Sequence, residues 1–283
     1  MKIGLLHTIV RLDEKMLFDE FKSKGVEVER VDDREMVLDL EKSQHSFDVL
    51  LDRCISQTHS LYITEYLNQK GTPTVNSFDV SRLCGDKFST TLALEKHKVP
   101  TLKTFTAFTP VQALKAIEEL GYPCVMKPVL GSWARLLSKI NDRDAAESLL
   151  EHKETLGNLY HNIYYIQEYV KKPGRDIRAF VVGDETIAAI YRNSEHWITN
   201  TARGGKASKC DVTPELSELC LKAAKAVAGK EGAILAMDVF EHPEKGLVIN
   251  EINHKMEFKN SVKPTGVNIP GKMVEFVLGT AKR

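Results

Sequence analysis

The 283-residue sequence is poor in the features that would take it to a membrane, a polyanion or an oxidising compartment. It has no charge surplus, with 39 Lys and Arg against 39 Asp and Glu, so bulk electrostatics calls for neither nucleic acid nor an anionic membrane. Its five cysteines, Cys54, Cys84, Cys124, Cys210 and Cys220, are scattered without a CxxC pair. That argues against zinc and for reduced thiols in a cytoplasmic protein. No apolar run approaches the roughly 20 residues of a membrane span. The first such run, 3–6, is too short for a signal peptide and reads as a strand. It leads into His7-Thr8-Ile9-Val10, so the GxGxxG turn that holds a pyrophosphate is missing, and a dehydrogenase with it. Internal repeats, low-complexity tracts and long linkers are absent as well.

What is present is an ordinary globular composition, 42% apolar and 28% charged, on a chain long enough for two or three lobes. Residues 1–80 alternate predicted strands (2–6, 26–31, 47–52, 72–76) with helices (13–24, 61–70), the pattern of an open parallel sheet with helices on its faces. Further helices are predicted at 86–96, 110–120, 145–152 and 214–228. Further strands are predicted at 104–107, 123–127, 135–140, 164–169, 177–182 and 186–192.

Two apolar runs, 234–240 and 247–253, joined by Glu241-His242-Pro243-Glu244-Lys245-Gly246, read as an antiparallel hairpin. Alternation puts Ala236, Asp238 and Phe240 on one face of the first strand, and Leu247, Ile249, Glu251 and Asn253 on one face of the second. A symmetric hairpin pairs Asp238 with Ile249 and leaves Glu251 on the diagonal, about 7–8 Å away between backbones. Asp238, Glu251 and Asn253 offer only oxygen, which suits a hard ion such as Mg²⁺. A solvated acidic face is the alternative.

Lys127 closes the apolar run 124–127, just before Pro128 and a Gly131-Ser132 turn whose N–H groups can cradle phosphate oxygens. Lys87 sits at a helix start, another favourable place for an anion. Taken singly, each lysine reads equally well as a surface residue. Arg178 and Arg192 fall on predicted strands and Arg203 in a Gly-rich loop, and guanidinium groups suit carboxylates and phosphates. Arg192 and Arg203, with Asn200, are the candidates for handling a transferred phosphate and substrate carboxylates. His7, His196 and His254 are expected to be structural or superficial, and Trp133 and Trp197 to be packing or lid residues.

Lys87, Lys127-Pro128, Gly131-Ser132-Trp133, Gln167-Glu168-Tyr169-Val170, Gly174-Arg175-Asp176-Ile177-Arg178, Asp238 and Asn250-Glu251-Ile252-Asn253 occur in the order typical of the ATP-grasp superfamily. The chain resembles that superfamily from residue 80 onward, and residues before it resemble its N-terminal lobe. The resemblance implies an α/β (α+β) ATP-grasp fold: an open α/β lobe at 1–85, a central lobe at 86–165, and a C-terminal lobe at 166–283, the last two enclosing ATP.

It further implies that Lys87 and Lys127 contact the phosphates. The loop Gly131, Ser132, Trp133, Ala134, Arg135, Leu136 and Leu137 would close over them, with Ala134 where family loops usually carry a second glycine. Gln167, Glu168, Tyr169 and Val170 would form the adenine hinge, and Asp176, Arg178, Arg192 and Asn200 would line the nucleotide. Asp238, Glu251 and Asn253 would hold Mg²⁺.

Within the superfamily the chain is most similar to the lysine-biosynthesis ligases that join α-aminoadipate to a small acidic amino-group carrier protein. The segments Gly85-Asp86-Lys87, Gly131-Ser132-Trp133, Gly174-Arg175-Asp176-Ile177-Arg178 and Met256-Glu257-Phe258-Lys259-Asn260-Ser261 carry that likeness. Its Asn260-Ser261 resembles the dipeptide tied to aminoadipate, where glutamate ligases typically have Gly-Phe. The implied substrate residues are Arg178, Arg203, Asn260 and Ser261, and a homo-oligomer is implied too. The implied chemistry activates the carrier's C-terminal glutamate side chain as an acyl phosphate, which the amino acid's uncharged amine attacks. Rival readings are a glutamate-specific carrier ligase, a protein-tail glutamate ligase, a small-molecule kinase, and an inactive nucleotide-binding regulatory module. The last is disfavoured by the full set of lysines and metal ligands.

Overall fold

The first strand, β1 (Ile3–His7), is buried at all five residues. It lies inside a parallel sheet covered on both faces, which is why it reads as an unbroken apolar run. After it come α1 (Leu12–Ser23), β2 (Val28–Asp32), β3 (Val49–Asp52), α2 (Gln57–Gln69) and β4 (Thr74–Val75), with strand order β2-β1-β3-β4. Ile3 and Leu5 pack with Leu17 and Phe21 of α1, while Leu6 packs on the other face with Ile63, Tyr66 and Leu67 of α2. The structure, a computed structural model, describes residues 1–42, 47–131, 135–157, 159–199 and 204–282.

Two short helices follow, α3 (Phe78–Cys84) and α4 (Lys87–Lys96). The sequence did not announce α3, whose Val80 and Cys84 are hidden among polar neighbours; Ser77 caps it. Asp86 caps α4, its carboxylate accepting from the Ser89 N–H at 3.0 Å. A second sheet is built from β5 (Thr104–Ala107), α5 (Pro110–Leu120), β6 (Cys124–Lys127), β7 (Ser138–Ile140), α6 (Arg143–Leu156) and β8 (Tyr164–Glu168). Its order is β5-β8-β6-β7, all antiparallel, and β8 runs across the boundary expected at 165/166. Its own core joins Ile117, Met126, Ile140, Leu150 and Ile166. Strand β6 ends where Pro128 can no longer donate to the ladder.

The third sheet comprises β9 (Arg175–Val182), β10 (Glu185–Asn193), β11 (Lys206–Cys210), β12 (Ile234–His242) and β13 (Gly246–Asn253), with α7 (Pro214–Ala228) interposed and α8 (Lys259–Thr265) and α9 (Ile269–Thr280) after it. The antiparallel order is β11-β10-β9-β12-β13. One face (Ile177, Ala179, Val181, Leu235, Met237) packs on α7, and also on Val80, Cys84 and Leu94 of α3 and α4. Thus α4 lies in the core of the third sheet, not the second. The other face (Phe180, Val182, Ile190, Ile234) packs on Ile269, Met273, Val274 and Val277 of α9 and on Ile3, Leu5 and Leu51 of the first lobe.

The elements β11, α8 and α9 went unread in the sequence. Strand β11 is a mostly exposed edge without an apolar pattern, α8 contains Pro264, and α9 starts with Pro270 and Gly271 in its first turn. Among the described residues no helix is long and apolar enough to cross a membrane.

The hairpin β12–β13 corrects the expected register. Asp238 pairs directly with Glu251 and Val239 with Ile249, so Asn250 is an extra residue, a β-bulge. Leu247 and Ile249 therefore face the α7 core, whereas Glu251 and Asn253 face the opposite way. The symmetric expectation failed because it carried one alternation phase through the whole strand, and a bulge resets that phase.

Candidate active site

Alternation along the third sheet divides one face into an apolar half and a charged half. On β9, Phe180 and Val182 continue the inter-lobe core, while Asp176 and Arg178, four and two residues before Phe180, point into a cleft. Arg192 on β10 and Asp238 on β12 join them there. Arg178 grips Asp238 with two nitrogens, at 2.9 and 3.0 Å. Arg192 does the same to Asp176, at 2.7 and 2.8 Å, and its Nη2 also stands 3.0 Å from Asp238. Burial pushes the Asp238 carboxyl upward, but the two guanidiniums outweigh it and hold the group well below the usual carboxylate range. Arg192 is buried, and among the described residues its Nη1 has no hydrogen-bond partner.

The second sheet supplies Lys127 from the end of β6. Its ammonium donates to Gln167 Oε1 at 2.5 Å and Asn250 Oδ1 at 2.8 Å, so a buried cation is held by two neutral amides. Burial pushes Lys127 down to about 8, with Glu251 opposing and Lys87 adding to the fall. Lys87 opens α4, where its N–H bonds Val129 O at 3.0 Å; its ammonium donates to Gly131 O at 2.8 Å and lies 3.1 Å from Glu251. The bulge turns Asn250 and Glu251, consecutive in sequence, into the same cleft, one toward Lys127 and one toward Lys87.

The cleft has a volume of about 240 Å³, and its lining includes Gly131, Arg135, Leu137, Glu168, Tyr169, Val170 and Asn253 from the expected set. Glu168 is engaged by Lys245 at 2.5 Å and by the Lys103 N–H at 2.7 Å. Leu136 is 69% exposed and does not line the cleft. Trp197 is in the lining and meets Tyr169 edge-on, with ring centroids 6.3 Å apart. Ser132, Trp133, Ala134, Asn200 and Arg203 lie outside the described residues. Asn260 and buried Ser261 line a small adjoining pocket with Arg178, Arg192 and Glu257, so the two arginines separate it from the main cleft.

Sequence reasoning missed several lining residues. Arg11, Arg53, Cys54 and Gln57 come from the first lobe, Lys172 and Thr199 from loops, and Asn250 from the bulge. Only the asparagine stood inside a recognisable motif. His254, expected to be structural or superficial, lines the cleft, its ring bonding Gln57 at 2.9 Å. Burial pushes it down to about 3, so it is neutral and offers no proton near pH 7.

The donor set fits Mg²⁺. Asp238 and Glu251 are paired across the strands, and Asn253 lines the same cleft. All three offer oxygen, and no thiol or imidazole stands among them. Cations from two sheets facing an acidic pair can hold a triphosphate and neutralise charge that gathers during phosphoryl transfer.

The chain matches the model of the RimK-like ATP-grasp domain over residues 84–277 and that of the LysX preATP-grasp domain over residues 3–83. It is 39% identical over 268 residues to the alpha-aminoadipate–LysW ligase LysX of Saccharolobus solfataricus, covering 94% of this chain and 96% of the relative. It is 34% identical over 279 residues to the glutamate–LysW ligase ArgX of Sulfurisphaera tokodaii, with 98% of each chain covered. Among solved structures, the RimK domain protein ATP-grasp from Sphaerobacter thermophilus superposes with a TM-score of 0.83 at 25% identity, covering 99% of this chain and 100% of that one. The chain belongs to the RimK-like ATP-grasp family, with a LysX preATP-grasp domain ahead of its ATP-grasp domain.

Proposed function

We propose that the protein is an ATP-dependent carboxylate–amine ligase that joins the α-amino group of α-aminoadipate to the C-terminal glutamate side chain of a small acidic carrier protein. The observation that carries the ligase reading is the cleft itself, where Lys87, Lys127, Arg178 and Arg192 surround the paired carboxylates Asp238 and Glu251. A carboxylate oxygen attacking the γ-phosphorus of ATP, with ADP leaving, brings negative charge together that four such cations can offset. Asp238, Glu251 and Asn253 would hold Mg²⁺, which would supply further neutralisation of the phosphates. The acyl phosphate so formed loses phosphate when the uncharged amine attacks its carbonyl, and an amide results. Such an enzyme works in the cytoplasm, where ATP and reduced thiols are found.

The choice of α-aminoadipate is supported by Asn260-Ser261 beside Arg178 and Arg192, and by the 39% identical relative. A glutamate-specific carrier ligase is the second reading, favoured by the 34% identical relative matched over 98% of both chains. Mg²⁺-dependent ADP release, measured with a carrier ending in glutamate and either amino acid, decides between them. Turnover with aminoadipate and a mass gain on the carrier are expected. Preference for glutamate selects the second reading, and ATP hydrolysis or phosphorylation without amide formation rejects both.

A further inference from the structure

Lys172 is a buried cation that the recognised motifs leave unused. It lies in the Lys171-Lys172-Pro173-Gly174 connection between β8 and β9, yet its side chain is only 8% exposed and lines the cleft. Its ammonium donates to Thr199 Oγ1 at 2.9 Å and stands 4.6 Å from the centre of the Phe240 ring. The carboxylate of Asp176 is 3.7 Å away, beyond hydrogen-bond distance. That carboxylate is already engaged by two nitrogens of Arg192 and by the Thr199 hydroxyl at 2.5 Å.

Lys127 is likewise a buried ammonium, but it is held by two neutral amides, whereas Lys172 also forms an ion pair with Asp176. The two lysines reach the cleft from different elements, one from the second sheet and one from the connection to the third. Both line the same cleft. The cleft lining carries nine lysines and arginines against five carboxylates, a surplus of positive charge. A low-dielectric wall with surplus positive charge is unfavourable by itself and becomes favourable when a polyanion enters.

We propose that Lys172 is a second buried lysine that grips the phosphate chain of the bound nucleotide, alongside Lys127. The inference rests on the nucleotide reading above. It requires Lys172 to distinguish ATP from adenosine, because a cation recognises the phosphates and not the nucleoside. A residue that merely propped Thr199 and Phe240 would affect both ligands alike.

Calorimetric titration of wild-type, Lys172→Gln and Lys172→Arg proteins with ATP and with adenosine tests this. The Gln variant is expected to lose about tenfold or more in ATP affinity, the size of a charged hydrogen bond, with adenosine affinity unchanged. The Arg variant is expected to recover most of the ATP affinity. On the wild-type protein, ATP but not adenosine is expected to shield Lys172 from reductive methylation read by mass spectrometry, a measurement independent of how the variants fold. Equal losses for both ligands, an unchanged ATP affinity, or labelling indifferent to ATP overturns the proposal. Failure of the wild-type protein to bind ATP would instead sink the nucleotide reading on which it rests.

Discussion

Arg192 joins Asp176 and Asp238, and all three side chains are nearly free of solvent contact. Replacing it by Ala leaves two buried carboxylates short of a partner, which costs about 3–5 kcal/mol. Chemical denaturation is expected to show a loss of that size for Arg192→Ala; a loss below about 1 kcal/mol would mean that water reaches these carboxylates. Arg192→Lys keeps the charge but not the two-pronged grip, and is expected to fall between.

Lys127 adds a pH dependence. Burial pushes it down to about 8, with Lys87 and Lys172 acting the same way and Glu251 against them. The free cleft therefore loses this proton as pH rises through about 8, whereas a bound triphosphate favours keeping it. ATP affinity should decline above that pH. Near pH 8.5 binding should take up protons, seen as a dependence of the calorimetric heat on buffer ionisation enthalpy. Lys127→Arg, charged throughout, should abolish the uptake, and uptake that persists in the Arg variant would assign it elsewhere.

Elements differ in how openly the sequence displays them. Helices α5 and α7 begin with a capping Thr followed by Pro and end at Gly, and both match their predicted limits. The hairpin shows the opposite. Its two strands were legible from their apolar runs, but its register was not, because nothing in the local pattern marks Asn250 as the extra residue. Removing Asn250 should restore regular pairing and turn either Glu251 and Asn253 or the residues before them to the wrong face. Turnover is then expected to drop by at least about 10²-fold, as when a positioned electrostatic group is lost, while circular dichroism stays close to wild type. Full activity in the deletion variant would show that turnover does not depend on the bulge aiming Glu251 and Asn253.

At the scale of the whole molecule, one apolar core binds the first lobe to the last. Phe180 of β9 is fully buried in it, as are Leu5 and Leu51 of the first sheet and Val274 of α9. Phe180→Ala should cost about 3–5 kcal/mol in stability. Because the cut lies between lobes, the urea slope is a second readout. A broadened transition with a lower slope is expected if the first lobe loosens separately. A normal slope with an unchanged midpoint would show that the lobes do not depend on this contact.

The sequence by itself determined the order of most elements, the parallel first lobe, and the oxygen-only set Asp238, Glu251 and Asn253. These rest on local patterns: apolar periodicity, caps, turns and side-chain chemistry within a few residues. Tertiary structure decided which cations share a cleft. Lys127 is marked locally by the apolar run it closes, but Lys172 is not, and only the tertiary fold brings the two into one cleft. It likewise placed α4 in the third sheet's core and α9 between the lobes. Burial depends on residues far apart along the chain, and no local pattern records it.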